Sequence, residues 1–232
     1  MRNCLAWLGK REKSFWLLLA LVTMSLWLFM IIATEVVAGG SFKLDETILL
    51  LMRDANNLED TIGPPWLKQV GQDITALGGN AVLTLASIWV IIFLLLTNKA
   101  KLALVVLLAT GGALLGSLLL KSGFDRPRPD LVTHATLVYT SSFPSGHSML
   151  AASAYLTMGA LLAQSQPRRR VKALIIISSV FLTLLIGVSR VYLGVHWPTD
   201  VVAGWAAGSV WAVACSYLAR HTTRKPLETD SN

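Results

Sequence analysis

The chain is short of charge, of cysteine and of glycan acceptor sites. Only 14% of its 232 residues are Asp, Glu, Lys or Arg, where a soluble domain carries about 25%. That shortage excludes an ordinary soluble globular protein. Two cysteines cannot build a disulfide framework. Cys4 precedes the first apolar run and Cys215 lies inside the last, so no bridge between them is expected. Cys215 reads as a small apolar packing residue. No Asn-x-Ser/Thr sequon occurs, which is compatible with a bacterial source. Repeats, low-complexity tracts and a second domain are also missing, so residues 1–232 read as a single membrane domain.

What the chain has instead is apolar length. It is 54% hydrophobic, with a mean hydropathy of +0.60. A helix needs about 20 mostly apolar residues to cross a bilayer. Six stretches meet that need: 15–36, 77–97, 102–120, 147–165, 173–189 and 200–219. The first follows Lys10, Arg11 and Lys13 like a signal peptide. Its apolar run exceeds the roughly 7–15 residues of an h-region, so it reads as a retained span. The expected fold is all-α, an integral membrane bundle of six transmembrane helices.

A net charge of +7 suggests nucleic acid, but the cations sit in short clusters between apolar runs. They form neither a continuous face nor a tail, which excludes nucleic acid as a partner. With the N-terminus cytoplasmic, the inner segments carry thirteen cations: Arg2, Lys10, Arg11, Lys13, Lys99, Lys101, Arg168, Arg169, Arg170, Lys172, Arg220, Arg224 and Lys225. The outer segments carry seven: Lys43, Arg53, Lys68, Lys121, Arg126, Arg128 and Arg190. The positive-inside rule therefore places both termini in the cytoplasm.

Residues 39–76 form the longest connection, on the outer face. Within it Leu44, Ile48, Leu51 and Met52 recur at helical spacing beside Lys43, Asp45, Glu46 and Arg53, predicting a short amphipathic surface helix. Gly63-Pro64-Pro65-Trp66 is expected to end any helix, with Trp66 at the membrane interface. This segment reads as a packing element more than a lid. Gly112, Gly116, Ala151, Ala152, Ala154, Gly204 and Gly208 mark close helix approaches within one bundle. The tail after Arg220 is short and polar and is expected to be disordered.

Three polar stretches interrupt the apolar pattern: Lys121 to Pro129, Pro144-Ser145-Gly146-His147, and Ser189-Arg190 followed by His196 and Asp200. Loop parity puts all three on the non-cytoplasmic side. Lys121, Arg128 and Arg190 can surround the charged oxygens of a phosphate, the arginines through planar forks. Taken singly, each cation could equally snorkel to the headgroups. Ser145 and Gly146 open the fourth apolar run, where free N–H groups and the helix dipole favour an anion. Ser145 also fits a plain N-cap, and the two roles are compatible. His196 and Asp200 are four apart, so the carboxylate can fix the tautomer and leave Nε2 free to attack. Two histidines and one carboxylate among cations are a poor metal site, so no metal and no cofactor are expected.

The spacings K-x6-R-P, P-S-G-H and S-R-x5-H-x3-D, in that order, closely resemble the signature of the type-2 phosphatidic acid phosphatases. That family shares its phosphate site with vanadium haloperoxidases. The resemblance covers about the last two-thirds of the chain, with a phosphatase core over 77–219, and every motif position matches. It implies that His196 attacks phosphorus to form phosphohistidine and that Asp200 supports it. His147 would protonate the leaving oxygen and then activate water, while Lys121, Arg128, Ser145, Gly146 and Arg190 hold phosphate oxygens. Asp125 and Arg126 fall outside the specified positions and are expected only to shape the loop. His134 and His221 match no motif.

The implied function is metal-independent hydrolysis of a lipid phosphomonoester or pyrophosphate, at the outer face of the inner membrane. Phosphatidic acid, phosphatidylglycerol phosphate and undecaprenyl pyrophosphate are the implied substrate classes. A lipid phosphotransferase and a non-enzymatic lipid-binding or transport protein stay open as alternatives. A haloperoxidase does not, because the related enzymes are soluble. Membrane lipids are the surrounding partners; the sequence fixes no oligomeric state.

Overall fold

The structure, a computed structural model, describes residues 2–40, 42–130 and 140–222. His134 and the tail from 223 lie outside them, as do the side chains of Cys4 and His221. The described residues form eight helices and no strands: α1 (Arg2–Val37), α2 (Lys43–Leu51), α3 (Pro65–Ala76), α4 (Asn80–Leu96), α5 (Ala100–Gly123), α6 (Gly146–Ser165), α7 (Arg169–Tyr192) and α8 (Pro198–Thr222). The all-α expectation is met, and α1 and α4 to α8 each overlap one of the six apolar stretches.

Four helical segments are long and apolar enough to cross a membrane: Phe15–Val37, Ala100–Gly123, Arg169–Tyr192 and Pro198–Arg220. A fifth arises if α3 and α4, bent by 46° at their junction, count as one broken span. The outward faces of these helices carry large apolar side chains such as Trp27, Trp89, Leu96 and Phe181, each more than half exposed. Lipid covers such a surface; water does not.

By contrast α6 is 20 residues long but rich in Ser, Ala and Gly. Its six consecutive residues Met149 to Ala154 are all buried, because α5, α7 and α8 pack around it. A helix shielded by other helices has no need of a lipid-facing stripe. Small residues let its neighbours close in: Gly204 and Gly208 of α8 abut Ser145, Ser148, Met149 and Ala152. Some buried hydroxyls find partners across helices, Ser153 donating to the Ala109 carbonyl at 2.7 Å and Ser87 meeting Thr110 at 2.7 Å.

The outer connection differs from its sequence reading in two ways. Pro64 and Pro65 start α3 instead of ending a helix, with Pro64 as N-cap and Pro65 in the first turn, where a missing N–H costs nothing. On α2 the buried positions are Asp45 and Leu49, with Ile48 and Met52 packed beside them. Leu44 and Leu51 face outward, 64% and 70% exposed. The reason is polar: Asp45 is ion-paired with Arg126, and that bond sets which side of α2 turns inward.

Candidate active site

The end of α7 does more than stop a helix. Gly194 has φ +73°, its N–H reaches the Val191 carbonyl, and the Val195 N–H reaches the Arg190 carbonyl at 3.1 Å. This is a Schellman turn, and it folds the chain so that His196 returns beside Arg190. Two residues later Pro198 opens α8, with Asp200 in its first turn. The Asp200 carboxylate accepts from the Trp197 N–H at 3.0 Å, the reciprocal bond of a capping box.

At the start of α6 the Ser145 hydroxyl accepts from the Ser148 N–H at 3.4 Å and the Ser148 hydroxyl at 3.0 Å. Ser145 thus serves as an N-cap. Its own N–H donates to the Asp200 carbonyl at 3.0 Å, tying the two helix starts together. At Gly146 a Cβ would lie 2.9 Å from the Ser117 hydroxyl of α5, so any larger residue would make that side chain shift.

Six of the eight expected residues line one cavity of about 180 Å³: Lys121, Arg128, Gly146, His147, Arg190 and His196. Ser145 and Asp200 stand behind its wall, fully buried. Leu114, Leu118 and Leu150 add an apolar side. A larger hollow of about 610 Å³ runs along α1 between Trp16 and Trp27, but none of these groups reaches it.

The cations are anchored from behind. Lys121 Nζ donates to the Ser141 carbonyl at 2.6 Å. Arg128 donates to the carbonyls of Thr140 at 2.9 Å and Val195 at 2.6 Å. Burial lowers the Arg128 guanidinium from its ordinary value, with the charge of Asp200 opposing. Arg190, 3% exposed, donates through Nη1 to the Thr75 hydroxyl of α3 at 2.9 Å. Its buried Nε has no protein partner.

His196 is 2% exposed. Burial pushes its imidazole down to about 3, against the hydrogen bond and charge of Asp200 and helped by Arg190 and Arg128. It is therefore neutral near pH 7. Nε2 lies 3.3 Å from Arg128 Nη1, and a guanidinium only donates, so Nε2 carries the lone pair. Nδ1 then carries the proton, facing Asp200 Oδ2 at 3.4 Å.

Sequence reasoning missed several residues around Asp200. Arg126 does not merely shape the loop: it is buried and pairs with Asp200 Oδ1 at 2.5 Å and with Asp45 at 2.8 Å. Ser142 donates to Asp200 Oδ2 at 2.5 Å. Nothing local marked Ser142. Asp45 carried no such signal either, because the apolar spacing of Leu44, Ile48, Leu51 and Met52 placed it among the polar residues beside that face. Among the described residues no three His, Cys, Asp or Glu side chains gather as metal ligands.

Residues 100–224 match the model of the PAP2 superfamily. The chain is 35% identical over 184 residues to phosphatidylglycerophosphatase B of Bacillus subtilis, covering 78% of this chain and 85% of that one. Over 68 residues it is 38% identical to an undecaprenyl-diphosphatase of Sulfolobus acidocaldarius, 29% of each chain. The crystal structure of a transmembrane PAP2-type phosphatidylglycerolphosphate phosphatase from B. subtilis superimposes with a TM-score of 0.73 at 30% identity, covering 90% of this chain and 98% of that one.

Proposed function

The chain belongs to the PAP2 superfamily, and on that premise we propose that it hydrolyses the phosphate ester or anhydride of a membrane lipid through a phosphohistidine intermediate. The observation that carries this reading is the convergence of Lys121, Arg128 and Arg190 on one cavity beside His196. Arg190 lines that cavity, and its buried Nε has no protein partner. A phosphate in the cavity meets charge from several directions, the main requirement of phosphoryl transfer.

The proposed chemistry has two steps. His196 Nε2 attacks phosphorus in line and a P–N bond forms as the P–O bond to the lipid breaks. Asp200 stabilises the charge growing on the ring through Nδ1–H. His147 gives its proton to the departing lipid oxygen. In the second step His147 takes a proton from water, the water oxygen attacks phosphorus, and the P–N bond breaks to return neutral His196 and phosphate. Lys121, Arg128, Arg190 and the N–H groups of Gly146 and His147, in the helix start that Ser145 caps, hold the phosphoryl oxygens throughout.

We further infer six spans, with α6 as the shielded one and α3 as a preface to α4. Both termini then lie in the cytoplasm and the site opens to the other side of the inner membrane. The core is 77–219, and 39–76 is the outer connection. The apolar wall formed by Leu114, Leu118 and Leu150 suits a tail that stays in the bilayer while the headgroup reaches the cations. Purified protein should release inorganic phosphate from phosphatidylglycerol phosphate, undecaprenyl pyrophosphate or phosphatidic acid. Given the B. subtilis relative, phosphatidylglycerol phosphate is the first to try. Binding of all three without phosphate release would overturn the reading.

A further inference from the structure

Among the described residues Asp45 and Asp200 are the buried acidic side chains, and one guanidinium joins them. Arg126 directs Nη1 to Asp200 Oδ1 at 2.5 Å and Nη2 to Asp45 Oδ2 at 2.8 Å. Thr199 closes the group: its hydroxyl accepts from Arg126 Nη1 at 2.8 Å and donates to Asp45 Oδ2 at 2.6 Å. Its N–H donates to Asp45 Oδ1 at 2.9 Å. Asp45 therefore also caps the start of α8, although it belongs to α2, 154 residues earlier. The rings of Phe42 and Trp197 lie 5.9 and 5.7 Å from the guanidinium carbon.

Seen from Asp200, every oxygen is engaged. Oδ1 takes Arg126, while Oδ2 takes Ser142, the Trp197 N–H and, at 3.4 Å, His196 Nδ1. A carboxylate held at both oxygens cannot rotate, so Oδ2 stays aimed at the imidazole. Buried ion pairs rarely stabilise a protein more than apolar side chains of equal volume do. A three-charge group under a nine-residue helix thus calls for a role other than stability.

We propose that Asp45 and Arg126 are positioning residues for the reaction, through which α2 fixes the carboxylate that orients His196. This rests on the proposed attack by His196. The segment 39–76 then acts as a clamp on the catalytic histidine and not only as packing. Neither residue touches the cavity wall, so both act on turnover and leave phosphate binding alone.

Full-length protein in detergent, with the same panel of lipid phosphates, provides the test. Arg126→Gln should lower kcat about 10–100-fold, the scale seen when groups that orient a metal-bound histidine are lost. KM and the inhibition constant for vanadate should stay within about threefold, because Lys121, Arg128 and Arg190 are intact. Asp45→Asn should lower kcat about tenfold, and Arg126→Lys should recover part of the Arg126→Gln loss. The double variant should be no slower than Arg126→Gln alone, since Asp45 works through Arg126. If Arg126→Gln does not fold, Asp45→Asn and Thr199→Val carry the same test, with matched thermal unfolding required. Wild-type kcat in Asp45→Asn and Thr199→Val, or equal losses of kcat and vanadate affinity, would overturn the inference while leaving the phosphatase reading intact. A wild-type protein inactive on every lipid overturns both.

Discussion

Replacing Gly204 by alanine tests how tightly the site depends on the packing of α6 against α8. A Cβ at that position would sit 2.6 Å from the Ser145 carbonyl oxygen, 2.9 Å from Ser148 Cβ and 3.2 Å from the Met149 nitrogen. The first of these is backbone and cannot swing aside. Ordinary contact starts at 3.4 Å, so the helices must part by roughly 0.8 Å, an overpacking that typically costs about 1–3 kcal/mol. Asp200 lies one turn before Gly204, and its carbonyl accepts the Ser145 N–H at 3.0 Å. The displacement therefore separates His196 and Asp200 from the Ser145–His147 turn. A misplacement near 1 Å can cost about 10²-fold in rate. Phosphate release should fall by about that factor, and the thermal unfolding midpoint by about 2–12 °C. Gly111 on α5 is the control, because a Cβ there meets nothing within 4 Å. Gly111→Ala should keep wild-type activity. Wild-type kcat and midpoint in Gly204→Ala, or equal damage from Gly111→Ala, would refute the packing argument.

In a Cys4→Ser background, cysteines at Gln72 and Glu59 should react with an impermeant thiol reagent from the outer face, and one at Gln166 should not; reversed labelling defeats the proposed orientation. Vanadate should inhibit by occupying the phosphate cavity, and EDTA should leave turnover unchanged; activity lost in EDTA and restored by a divalent ion would refute the metal-free chemistry. His196→Ala should abolish turnover and the acid-labile phosphoenzyme. His147→Ala should be partly rescued by a substrate with a good leaving group, on the scale of about 10²–10⁴-fold for general acid catalysis. For pH, burial takes His196 from an ordinary 6.5 down to about 3. Between those values the unfolded chain binds a proton that the folded one refuses, so stability present above pH 6.5 is lost as pH falls. Unfolding midpoints measured from pH 7 to 4 should drop more steeply for wild type than for His196→Gln; parallel slopes would contradict this.

The three motifs were legible because each is local: spacing within ten or so residues sets which groups share a turn. Helix positions followed from apolar runs for the same reason, and α5 and α7 match the expected stretches to within a few residues. What escaped was long-range. The Arg126 bonds span 74 and 81 positions, and the Thr75 support of Arg190 spans 115; no periodicity encodes such pairs. On α2 the apolar spacing of Leu44, Ile48, Leu51 and Met52 pointed to one face, and a single buried charge pair chose another. For α3, a pair of prolines read as a stop was a start, because helix-breaking chemistry in the interior is helix-starting chemistry at the first turn.

The composition of α6 also bears on how the protein is made. Ser145, Ser148, Ser153 and Thr157 are fully buried, and the Ser153 hydroxyl is satisfied by a carbonyl of α5. Alone in a bilayer this helix would present those hydroxyls and a histidine to hydrocarbon, which is costly. Its neighbours α5 and α7 are apolar enough to enter by themselves. In the six-span arrangement proposed above, α6 would take its place from these neighbours, and its residence in the membrane would be a property of the assembled bundle.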